Sequence, residues 1–184
     1  MADGLPPPRD LEAQPRELLV ELAAVVGEPE AARRCAGLLA GDDPARHTDL
    51  LPHLAGRPGV GYFTNGWAGY WPRVWGARGL LYVWHDDATG AVLGGLRDEA
   101  WRVAEMCLKV SALRELPAGD DAVRLAEHEL PRVRAAAMRA LAAAGDVEHV
   151  DAAREALDDE SEEVRRAAHR ALKTMRDRLD PRHR

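Results

Sequence analysis

The 184-residue chain carries 25 Lys and Arg against 31 Asp and Glu, and a formal net charge of −6 argues against a surface given over wholly to nucleic acid. Alanine, leucine, arginine and glutamate dominate while β-branched and aromatic residues are sparse, so an all-α fold with one core is expected. Cys35 and Cys107 lie far apart without CxxC or Cys/His metal spacing, which excludes a disulfide framework and a zinc site and points to a reducing compartment. No apolar run approaches the length of a membrane span, and MADGLPPPRD has no basic-then-apolar signal pattern; a cytoplasmic, membrane-free protein is expected.

Residues 1–14, with Pro6 to Pro8, read as a flexible tail ahead of a single helical domain over 15–179, and residues 180–184 as a disordered C-terminus. Pro15 opens RELLVELAAVVG, whose Leu18, Leu19, Leu22 and Val25 form one stripe and whose Gly27 ends it. A second helix carries Ala32, Cys35, Leu38 and Leu39 on its apolar face and stops at Gly41. Asp43 and Pro44 cap a third, with Leu50, Leu51 and Leu54, that Pro52 shortens and Gly56, Pro58 and Gly59 break. His47 and His53 are six apart, not the i, i+4 of helical metal ligands, and are expected at the surface or at caps.

All the aromatic residues, five Trp, three Tyr and one Phe, fall between Tyr62 and Trp101. The stretch GYFTNGWAGYWPRVW reads as an ordered loop leading into a helix at Pro72, its rings filling a gap beside the repeats or presenting a partner surface. From there the sequence repeats. Val74, Val103, Val133 and Val164 are 29, 30 and 31 residues apart, the period of stacked helical hairpins. Ala77, Met106, Ala136 and Ala167 follow at three positions, and Leu81, Val110, Ala140 and Ala171 at seven, which predicts one buried face seen four times. Gly76, Arg78 and Gly79 depart from the pattern. Shorter helices are expected over 88–96, 121–130 and 147–157, with turns at Gly119-Asp120 and Gly145-Asp146 and caps at Asp98 and Ser161. Trp84-His85-Asp86-Asp87 reads as a capping junction, and Cys107 as a small core residue.

VRAAAMRALAAAGD and VRRAAHRAL resemble HEAT repeats, particularly the short HEAT-like type seen also in phycobilin-lyase-related proteins. The resemblance covers residues 72–179 and implies an α-α superhelix, a solenoid of helical hairpins that bury by stacking what no hairpin buries alone. It also implies that the valine-led helices line a concave surface. The side opposite the valines then presents Trp101, Arg102, Glu105 and Lys109 on one helix, Arg132 and Arg139 on the next, and Arg166, Arg170 and Lys173 on the last. With Trp71 and Trp75 of the adjacent aromatic segment, these residues make the expected binding set. The expected function is a scaffold that binds a protein or another anionic partner there, with nucleic acid as a second partner class and with no cofactor or metal. The alternative is a HEAT-like DNA glycosylase acting on alkylated bases. In it Glu105, beside Trp101 at i, i+4, would be the carboxylate that stabilises positive charge on the sugar.

Overall fold

The structure, a computed structural model, describes residues 4–180; residues 1–3 of the expected tail and 181–184 of the expected disordered end lie outside the described residues. Among the described residues all regular structure is helical. The chain divides into two compact units, Met1–Gly95 and Leu96–Arg184.

In the first unit, α1 (Pro15–Val26) packs on α2 (Glu28–Ala40), and α2 packs on α5 (Trp71–Gly79) and α6 (Thr89–Gly95). The helix expected after Asp43-Pro44 is interrupted: Asp43 caps a single 3-10 turn, Pro44–Arg46, and α3 covers only Leu51–Ala55. The predicted breakers themselves form a further turn, α4 (Arg57–Val60), because Gly56 at φ 62° redirects the chain between the two. Of the predicted α1 stripe, Leu18, Leu19 and Leu22 are buried, whereas Val25 is 47% exposed one residue from the helix end.

Over its described part, the segment read as a flexible tail is tied to this unit. The Leu5 N–H donates to Asp49 at 2.9 Å, the Arg57 N–H donates to the Leu11 carbonyl at 3.1 Å, and Pro8 is buried. His53 is the residue that explains it. Expected at the surface, it is fully buried, and its Nε2–H donates to the Pro6 carbonyl at 2.8 Å. A prolyl carbonyl accepts like any other, so a proline run that lacks N–H donors is still anchored.

The glycines that break the repeat pattern have a packing role. A Cβ on Gly76 would stand 2.5 Å from the Cys35 carbonyl oxygen and 3.0 Å from the Leu39 nitrogen, so α5 lies against the backbone of α2. Leu81, expected on the recurring face, falls past the end of α5 and is half-buried.

In the second unit, the long helices α7 (Trp101–Arg114), α9 (Pro131–Ala144) and α11 (Glu162–Leu179) pack in sequence, α9 against both others, with the short α8 (Gly119–Leu125) and α10 (Val150–Glu155) between them in the chain. Gly119-Asp120 starts α8 instead of forming a turn. Val103, Val133 and Val164 are fully buried, as are Val110, Ala136 and Ala168; Met106 alone among the +3 residues is half-buried.

Two hydrogen-bond devices recur at the repeat period. The side chains of Asp98, His128 and Asp159 each accept the N–H of the residue two ahead, at 2.8, 3.0 and 2.8 Å, which shapes the turn into α7, α9 and α11. The arginine after the valine then clamps that turn: Arg134 donates to the carbonyls of His128 and Glu129, and Arg165 to those of Asp159 and Glu160. Arg134 goes further, forking onto both oxygens of Asp159 at 2.7 and 2.8 Å with only 8% of its surface exposed. The "VR" signature is therefore a turn clamp, and Arg134 joins one repeat to the next.

Alanine in a helix normally outperforms glycine by about 1 kcal/mol. Gly76→Ala should reverse that sign and lower the urea-unfolding free energy by about 2 kcal/mol through overpacking, whereas Gly90→Ala, whose Cβ meets nothing within 4 Å, should raise it. The Arg134 hydrogen bonds hold the Asp159 carboxyl below its usual range, with burial opposing them. Because the folded pKa is the lower one, this contribution is complete above about pH 4 and is lost as pH falls through the folded value. Asp159→Asn should flatten the acid limb of a pH–stability profile, and Arg134→Met should cost about 3 kcal/mol at neutral pH.

Candidate functional site

The residues singled out on α7 are brought together with one from α9. Glu105 is 5% exposed, and its Oε1 accepts from Lys109 Nζ at 2.9 Å and from Arg132 Nε and Nη2 at 3.1 and 3.0 Å. The i, i+4 spacing delivers Lys109, and Pro131 at the first turn of α9 sets Arg132 opposite Glu105. Trp101 is half-buried, with the Arg102 guanidinium 4.3 Å and the Arg132 guanidinium 5.0 Å from its ring centroid, both within cation–π range. Arg132 thus bridges a buried carboxylate and an aromatic face. It cannot move from one without giving up the other.

The stripe continues with alternating charge. Arg139 pairs with Glu163 across to α11 at 3.1 Å, and Arg166 pairs with Glu162 one turn back. Arg170 and Lys173 are exposed, and among the described residues neither forms an ion pair. Glu105 is the residue whose setting differs most from the expectation. The side of α7 opposite Val103 is expected to be open, yet Arg132 at the start of α9 covers Glu105 there.

Trp71 and Trp75 belong to the first unit. Trp75 is 3% exposed, with Trp67 and Tyr62 edge-on at 5.8 and 5.7 Å; its ring packs α5 and presents no surface. Trp71 is half-buried between Trp67 and Tyr70, with ring centroids 5.2 and 5.5 Å away. The rings of the aromatic segment chiefly pack one another, and Phe63, 56% exposed, is its open edge.

Burial pushes the Cys35 thiol up to about 12 and the Cys107 thiol further, so neither is a thiolate at neutral pH. Among the described residues no three His, Cys, Asp or Glu side chains form a metal-binding group. His85 itself caps the 3-10 turn Asp86–Ala88 by accepting the Asp87 N–H, while Asp86 accepts the Trp84 indole N–H at 3.0 Å. Sequence reasoning also missed Arg134 and Arg165. Their recurrence directly after Val133 and Val164 was the available signal.

A double-mutant cycle separates the two kinds of ion pair. Glu105→Gln with Arg132→Met should give a coupling of about 1 kcal/mol in urea unfolding, and Arg139→Met with Glu163→Gln less than about 0.5 kcal/mol, since both members of the latter pair are solvated.

No curated protein matches the chain. Residues 120–182 match the family model of HEAT repeats. Among solved structures, the crystal structure of an engineered protein is similar in fold, with a TM-score of 0.50 and 20% identity over 90% of this chain and 79% of that one. Among the described residues no helix is long and apolar enough to cross a membrane. The fold is all-helical and HEAT-like, with the matched repeats in the second unit.

Proposed function

We propose that the α7–α9–α11 face of the second unit binds an acidic segment of a protein partner, with Trp101 and Arg132 at its centre. The observation that carries this reading is the buried Glu105, which fixes Arg132 beside Trp101 and leaves the cationic face pre-organised. A guanidinium held against an aromatic ring presents its remaining N–H groups in a fixed fork, the geometry that recognises a carboxylate in two-point fashion. Arg139, Arg166 and Arg170 extend the positive surface, and the exposed carboxylate partners of Arg139 and Arg166 are exchangeable at little cost, because solvated pairs contribute only about 0–1 kcal/mol.

Base excision is the less favoured reading. A carboxylate that stabilises a developing sugar cation must face the substrate, whereas Glu105 is covered and its Oε1 already serves Lys109 and Arg132. Binding needs no such access.

Affinity capture from lysate, with and without nuclease, tests the proposal on the intact chain. A partner should survive nuclease, elute as salt rises from 0.1 to about 0.5 M because the recognition is between charges, and be lost with Trp101→Ala and with Arg132→Ala. Capture abolished by nuclease, or indifferent to both substitutions, would overturn it. Release of alkylated purines from methylated DNA by the wild-type chain, absent with Glu105→Gln, would establish the glycosylase instead.

A further inference from the structure

On another part of the second unit, α10 and α11 enclose an open groove of about 560 Å³. Its apolar residues are Val147, Val150, Leu172, Met175 and Leu179; Met175 is fully buried at the bottom, and Val147 is 67% exposed at one wall. Its polar residues are all basic: Arg154, His169, Lys173 and Arg176. Among the described residues no carboxylate lines it, in a protein with a net charge of −6. A local surplus of cations against that overall balance marks the groove as complementary to an anionic ligand, and its apolar residues require that the ligand be amphipathic.

The lining also fixes the ligand's shape. His169, Leu172, Lys173, Arg176 and Leu179 recur at three and four residues along α11, a straight stripe about 15 Å long at 1.5 Å per residue. A second helix of about three turns lies along such a stripe with apolar anchors at i, i+3 or i+4, and i+7. A nucleic-acid backbone would satisfy the cations but leave the leucines and valines uncovered. A second copy placed symmetrically would set the same basic residues against each other. Arg154 pairs with Asp151 and Arg176 with Asp177, but these carboxylates are 80% and 51% exposed and surrender the arginines to a ligand at little cost. His169 and Lys173 form no ion pair among the described residues.

We infer that the α10–α11 groove is a docking site for an acidic amphipathic helix of a partner protein. It shares Lys173 with the basic stripe that runs from Trp101, but its other lining residues are its own, and it does not depend on the reading of the Trp101 face.

The test titrates the full chain into a fluorescein-labelled peptide of about fifteen residues, long enough for the stripe. The peptide carries Leu at alternating three- and four-residue spacing and Glu on both flanks; a control peptide replaces every Glu with Lys. Saturable anisotropy is expected with the Glu peptide and none with the Lys peptide. Val147→Asp and Lys173→Glu, both at exposed positions, should each weaken binding at least about tenfold, a change of 1.4 kcal/mol. Val20→Asp, at the comparably exposed valine of α1, should leave affinity unchanged. Circular dichroism verifies that each variant is folded. The inference is overturned by no saturable binding, by equal binding of the two peptides, or by insensitivity to Val147→Asp and Lys173→Glu. Displacement of the peptide by duplex DNA, or a sedimenting dimer that Val147→Asp dissolves, would also overturn it.

Discussion

Close approach of helices through alanine is the constraint on which the second unit depends. Helix α9 packs against both α7 and α11, and Ala135, Ala136, Ala137 and Ala140 are all buried along it. A helix flanked on two sides has little perimeter left for solvent, so alanines take half of its buried positions, and its own Val133, Met138 and Leu141 share with its neighbours in supplying the volume. On those neighbours Val103, Leu108 and Val110 of α7 and Val164 and Met175 of α11 are fully buried. The same logic reaches its limit in the first unit, where Gly76 brings α5 onto the α2 backbone closer than a methyl group allows.

Such packing leaves the charged groups to organise what lies around it. Arg134 and Glu105 are both nearly buried, yet they act differently. Arg134 spends its donors on two turn carbonyls and on Asp159, so its charge is consumed in joining repeats. Glu105 instead draws cations toward a face that stays partly open, because Arg132 remains more than half exposed while held on it. One buried ion stiffens the scaffold; the other shapes its surface.

Much of this could be read from residues alone. The 29-to-31 spacing of the valines reports the repeat because each must return to the same core, and Pro131 and Gly41 mark ends because backbone chemistry restricts them locally. The stripe of Arg132, Arg139 and Arg166 was legible as charge on a helical wheel, but its partners were not. Glu105 looked open because a wheel describes one helix, and its cover comes from the beginning of another. Trp75 looked like a candidate surface residue for a similar reason: an aromatic ring has no sequence signature separating a partner surface from a core filled by Trp67 and Tyr62.

Sequence by itself therefore determined the helical class, the repeat period and the apolar face, since these depend on local propensity and on periodicity along one chain. Tertiary structure decided which polar residues are spent on the fold and which remain to act. It anchored the segment around Pro6 through the buried His53, turned the arginines after the valines into clamps, and joined Trp101, Glu105 and Arg132 across two helices. Those outcomes rest on distances between residues tens of positions apart, which only the packing of one helix on another sets.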